Sequence, residues 1–98
     1  MTNERKNEMA KLYKWEITEP ASEEGGEDIL HTVTLKCSNL TGKAIVTIDG
    51  MEFDISVRPF ALKGTSQMFR LGEMPALLEF SKKGAPAVVI DGDRILGK

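Results

Sequence analysis

The residues able to carry reactive chemistry in this 98-residue chain are few, with one histidine, one cysteine and 15 acids. A neutral imidazole can act as a general base or a metal ligand, and a thiolate can act as a nucleophile. Both candidates, His31 and Cys37, fall on one alternating stretch from Ile29 to Cys37. Six residues of extended chain hold them roughly 20 Å apart, so they cannot work as a nucleophile and its base. His31 keeps step with the inward residues of that stretch and is expected to be a half-buried structural histidine. Ser66, in Gly64-Thr65-Ser66-Gln67-Met68, superficially suggests a nucleophile elbow. The second glycine and the strand-to-helix frame of that motif are missing. One His and one Cys make no zinc set.

Carboxylates offer the remaining chemistry. The acidic loop Glu23 to Asp28 and the turn Asp91-Gly92-Asp93 could attract a divalent cation. The loop lacks the alternating oxygen ligands and fixed Glu of a calcium site, and a tight turn already accounts for Asp91 and Gly92. No glycine-rich stretch leads into a helix, so no phosphate cradle is expected. The chain is therefore read as non-enzymatic, with no catalytic residue, no cofactor and no resident metal.

Whatever it does must be done by surfaces, and a hairpin positions them. In Lys43 to Arg58, KAIVTIDGMEFDISVR, Asp49-Gly50 suits a two-residue type I′ turn, in which both central residues need positive φ. That turn sets Ile48 against Met51, Val46 against Phe53 and Ala44 against Ile55. A period of two puts all six on one face, expected to point inward. The opposite face carries Lys43, Ile45, Thr47, Glu52, Asp54 and Ser56.

The flanking chain reads the same way. Tyr13, Trp15 and Ile17 alternate as a strand, in competition with a helical reading of Met9, Leu12 and Tyr13. Pro20 to Asp28 is an exposed loop. Ile29 to Cys37 is a strand, with Ile29, His31, Val33, Leu35 and Cys37 inward. Ser38 to Gly42 turns into the hairpin, and Pro59 marks a strand end. Further strands are expected over Gln67 to Leu71, Ala76 to Ser81, Ala87 to Ile90 and Arg94 to Leu96. Their turns fall at Gly72 to Pro75, Lys82 to Gly84 and Asp91-Gly92. The last hairpin repeats the central one, since Gly42, Val46, Ile48, Asp49 and Gly50 recur 42 positions later as Gly84, Val88, Ile90, Asp91 and Gly92. Seven or eight short strands with short connections predict an all-β, single-domain antiparallel β-sandwich. Residues 1–11 are expected to be a disordered arm and 12–98 the domain.

Composition agrees: 41% hydrophobic and 29% charged residues describe an ordinary soluble globular chain. A formal charge of −2 argues against broad nucleic-acid binding, which needs clustered cations. Residues 1–14 lack the apolar core of a signal peptide, and no run approaches the roughly 18 residues of a membrane span. A cytoplasmic protein with no membrane contact is expected.

Trp15-Glu16-Ile17, His31-Thr32-Val33-Thr34-Leu35, Gly42 through Gly50, Phe60-Ala61-Leu62-Lys63-Gly64, Phe69-Arg70-Leu71-Gly72 and Ala87 through Gly92, in that order and spacing, resemble one domain, the first, of the Fas apoptotic inhibitory molecule family. The resemblance covers roughly residues 15–92. It implies a β-sandwich without catalytic machinery that acts through protein contacts, in death-receptor signalling and in protection against protein aggregation. The matching positions are turn glycines and core residues, so it assigns no binding residue, and a single domain stands where the animal protein has two.

The surface reading is a module that binds a partner protein, or a nascent or damaged chain, through a sheet face or edge. Ile45, Asp54, Arg58 and Phe60 are the expected contact residues, because arginine and aromatics favour interface centres and Pro59 leaves an edge open. The alternative is a small-ligand or divalent-metal-binding accessory module using the loops Glu23 to Asp28 and Asp91 to Asp93.

Overall fold

The computed structural model describes residues 10–21 and 23–98, among which no helix occurs and so none long and apolar enough to cross a membrane. Eight strands follow in order: β1 (Lys11–Glu19), β2 (Ile29–Cys37), β3 (Ala44–Ile48), β4 (Met51–Asp54), β5 (Ser66–Leu71), β6 (Met74–Glu79), β7 (Ala87–Ile90) and β8 (Asp93–Leu96). They form two four-stranded antiparallel sheets, ordered β1-β2-β3-β4 and β5-β6-β7-β8. Within each sheet every strand pairs with its neighbour in sequence, as short connections require. The core is shared between the sheets: Trp15, Ile17, Val33, Leu35 and Val46 of the first pack with Leu71, Leu78 and Val88 of the second and with Phe80 just beyond β6. This is the expected all-β sandwich.

In β1 the alternating pattern prevails over the helical one. Trp15 and Ile17 are buried while Lys14, Glu16 and Thr18 face solvent. The strand begins at Lys11, opposite Cys37, so ordered structure reaches into the segment expected to be a disordered arm. The nine-residue β2 supplies ladder partners along all of β1. The rest of that arm, residues 1–9, lies outside the described residues. At the outer edge of β1, Lys14 and Lys98 exchange two backbone hydrogen bonds of 3.1 and 2.9 Å. The indole Nε1 of Trp15 donates to the Ile95 carbonyl at 2.7 Å, so the largest core side chain is polar-satisfied where the sheets meet.

The central hairpin has the expected turn and register. Asp49 and Gly50 have φ of 48° and 86°, and Ile48 pairs with Met51, Val46 with Phe53 and Ile45 with Asp54. Burial departs from expectation on one side of the hairpin only. Ala44 and Val46 are buried, and Ile55 packs against the core, but Met51 is 65% and Phe53 45% exposed. Met51 and Phe53 share a face with Ile48 and Val46, as their pairing requires, but the expected burial of those two is wrong, because the core shared by the sheets does not extend over β4. Ile29, at the open end of β2 beside the acidic loop, is likewise exposed. The strand ends at Asp54, whose carboxylate accepts the Ser56 N–H at 2.9 Å, and backbone pairing continues beyond it, with Ile55 donating to the Ala44 carbonyl at 2.9 Å.

In the second sheet, β6 begins at Met74 rather than Ala76, and the turn before it is only Gly72-Glu73. Pro75 is accommodated in β6 because β7 pairs only with Leu77, Leu78 and Glu79, so no ladder partner waits for its missing N–H. The strand ends at Glu79, two residues before the expected Ser81. The chain continues to bond irregularly there, with Phe80 donating to Thr65 and accepting from Gly64.

Gly42 holds the two ends of the hairpin together. Its carbonyl accepts the Val57 N–H at 2.8 Å, its φ is 77°, and a Cβ there would fall onto the carbonyl oxygens of Val57 and Arg58. Gly50 shares a positive φ, but its Cβ would meet open space. Gly42→Ala is therefore expected to cost roughly 3 kcal/mol or more, against about 1 kcal/mol for Gly50→Ala, where only left-handed strain is added. Thermal melting of both variants checks this, and equal losses would remove the close-approach explanation.

Candidate functional site

The four expected contact residues occupy two adjoining places. Ile45 on β3 and Asp54 on β4 are direct cross-strand partners on the outer face of the first sheet. Ile45 is half-buried there and lines a shallow concavity of about 550 Å³ with Thr41, Lys43 and Glu52. Asp54 is exposed, and the Ser56 hydroxyl and N–H hold its carboxyl below the usual carboxylate range. Arg58 and Phe60 lie in the turn beyond β4.

That turn has an unusual backbone. Phe60 has a φ of 61°, a left-handed conformation uncommon for any residue with a Cβ and an outlier for a bulky one. Its N–H donates to the Asn39 carbonyl at 2.9 Å, and the Ala61 N–H donates to Arg58 at 3.0 Å. These bonds fix the conformation, yet the ring it carries is 66% exposed. Met51, Phe53 and Val57 are also exposed along this flank. Ladder alternation from the two-residue turn leaves the N–H and C=O groups of Glu52 and Asp54 pointing away from β3. The flank thus combines open backbone with exposed apolar side chains, and of these Phe53 and Val57 escaped the sequence reading. Nothing in a period-two pattern distinguishes an edge strand from an inner one.

His31 is in the predicted inward phase and fully within the fold, at 5% exposure. Its Nε2 lies 2.9 Å from Glu19 Oε1 and its Nδ1 lies 2.6 Å from Asp49 Oδ2. Two carboxylates can both accept from one imidazole only if both ring nitrogens carry protons, which makes it an imidazolium. Neither nitrogen is then free to take a substrate proton or bind a metal. Hydrogen bonds to Glu19 first, and then to Asp49, raise the His31 pKa against the opposing effect of burial. The same imidazolium, aided by the Glu73 N–H, holds Glu19 below the usual carboxylate range, and with the Thr32 N–H it does so for Asp49.

The cluster ties distant elements together. Glu19 Oε2 accepts the Glu73 N–H at 3.0 Å across to the β5–β6 turn. Asp49 Oδ1 accepts the Thr32 N–H at 2.9 Å. Gly72 makes room, since a Cβ there would collide with the Glu19 carboxylate. Sequence reasoning placed His31 but missed both acids. The available signal was phase: Glu19 continues the inward series Trp15, Ile17 on a strand antiparallel to that of His31. Glu23 and Glu27 of the acidic loop border Glu19 and Glu73 across a shallow concavity of about 360 Å³, and among the described residues no three His, Cys, Asp or Glu side chains gather so as to hold a metal ion.

The directions of these shifts fix a pH profile. His31, raised, contributes stability that is fully present below its unfolded pKa of about 6.5 and is lost as pH climbs through the folded value. Glu19 and Asp49, lowered, contribute stability that is present above about 4 and lost as pH falls through their folded values. The melting temperature is expected to be highest between about pH 4.5 and 6.5 and to fall on the alkaline side. His31→Gln should flatten that alkaline fall, and a wild-type melting temperature constant from pH 6 to 9 would contradict the charged assignment. No protein-family model matches this chain, and no significant match to it emerges from curated proteins or from solved structures.

Proposed function

We propose that this chain is a non-enzymatic, cytoplasmic protein-binding module that engages a partner protein, or an extended segment of a nascent or damaged chain, through the Arg58–Phe60 turn and the adjoining β4 edge. The observation that carries the reading is Phe60, whose φ of 61° presents a 66% exposed aromatic ring to solvent. A left-handed conformation costs a residue bearing a Cβ about 1–2 kcal/mol, and glycine would avoid that cost. Strain kept at an exposed, apolar position serves no packing purpose in the isolated fold and points to a contact. Arg58, exposed in the same turn, supplies the cation that interface centres favour beside aromatics. Open backbone groups on β4 suit an extended segment added as a further strand, with main-chain bonds giving affinity and exposed side chains giving selectivity. The resemblance to a Fas apoptotic inhibitory molecule domain supports the same reading, since that family works through protein contacts and protects against aggregation.

The test separates function from stability. Phe60→Gly removes the left-handed strain and should raise the melting temperature by a few degrees, given roughly 4–8 °C per kcal/mol for a domain of this size. The same variant should lose most of the protein's ability to suppress light scattering by reduced insulin, and Arg58→Glu should weaken it. A Phe60→Gly protein that is more stable and equally protective would show that the turn is not the contact.

A further inference from the structure

At the end of the sandwich away from the His31 cluster lies a cleft of about 510 Å³, bounded by the start of β1, the end of β2 and the β4–β5 and β6–β7 connections. Its size falls in the range of small-molecule sites, which are concave, mainly apolar and marked by a few polar groups. Leu62 and Phe80 line it as core residues only 3% and 6% exposed, and Cys37 and Tyr13 add further apolar surface. Lys11 and Lys63 are exposed members of the same lining, which among the described residues contains no acid. Among the described residues neither lysine forms an ion pair. On a chain of net charge −2, the described lining of this cleft thus has a sign opposite to that of the molecule.

We propose that this cleft binds a small apolar molecule bearing a carboxylate, with the hydrophobic body against Leu62, Phe80 and Tyr13 and the carboxylate between Lys11 and Lys63. Burial of the apolar body supplies affinity, and the lysine pair selects the anion over its neutral counterpart. One further observation agrees. Burial raises the Cys37 thiol while the nearby Lys11 ammonium pulls it down, and the Tyr13 phenol is raised by burial and by Cys37, so the three groups lie within electrostatic reach of one another. The proposal concerns side chains other than Arg58 and Phe60, and the two sites meet only through the Asn39 carbonyl, a main-chain acceptor of the Phe60 N–H that Phe60→Gly keeps.

Cys37 is the only thiol in the chain; it is buried and lines both this cleft and the concavity beside Ile45, so its labelling is read together with amide chemical shifts that tell the two apart. The native protein is alkylated with iodoacetamide in the presence of 2-naphthoate, or of 2-naphthalenemethanol, which has the same ring system without the charge. Saturating 2-naphthoate should slow the labelling of Cys37 at least fivefold, with amide chemical-shift changes centred on Cys37, Leu62 and Phe80. The alcohol should protect no more than about half as well, and the double variant Lys11→Glu/Lys63→Glu, folded by thermal melting, should lose protection by the acid. Phe60→Gly should retain it. Equal protection by the alcohol, shift changes centred elsewhere, or protection that survives the double charge reversal would each overturn the proposal.

Discussion

The His31 ring, buried between the carboxylates of Glu19 and Asp49, is the polar contact that ties this end of the fold together. Ionised groups removed from water are tolerated only when their partners are in place, and here the partners come from four separate segments. Glu19 ends β1, His31 begins its inward run on β2, Asp49 heads the β3–β4 turn, and the Glu73 amide belongs to the other sheet. Forming the cluster fixes the β1–β2 register, the position of the first hairpin turn and the approach of the second sheet at that end. Gly72 is part of the same constraint, because only a residue without a side chain leaves space for the Glu19 carboxylate. The opposite corner is closed differently, by backbone pairing of Lys14 with Lys98 and by the indole bond of Trp15.

The two similar hairpins show how one local solution acquires different tertiary roles. Asp49-Gly50 and Asp91-Gly92 adopt nearly the same positive φ values, 48° and 86° against 51° and 82°, because the turn type demands them. Only Asp49 also points its carboxylate at a buried histidine and a backbone amide. Turn chemistry alone explains Asp91, whereas Asp49 satisfies a local and a long-range requirement at once. Such agreement between levels is what lets a sequence specify one structure.

Much of the fold was legible for the same reason. Period-two patterning and turn dipeptides are local signals, and they placed β2, the register of the β3–β4 hairpin and both Asp-Gly turns. What escaped depends on three-dimensional position. Whether Phe53 is covered depends on how far the second sheet reaches across β4, which no property of residues 51–54 encodes. The start of β6 at Met74 depends on β7 being too short to require an N–H from Pro75. Glu19 and Asp49 could be read as a strand end and a turn residue, and their convergence on His31 becomes visible only once the strands are paired. Phe60 was singled out for its residue type, while its left-handed backbone, the feature that distinguishes it, has no sequence signature.

The exposed β4 edge also determines how copies of this chain treat one another. Glu52 and Asp54 are the residues whose backbone groups face outward there, and both carry negative charge. Two molecules approaching antiparallel through this strand bring acid against acid, and like charges set opposite each other weaken strand pairing. The flank is thereby a poor template for its own duplicate in that register, since charge on an edge strand disfavours edge-to-edge pairing.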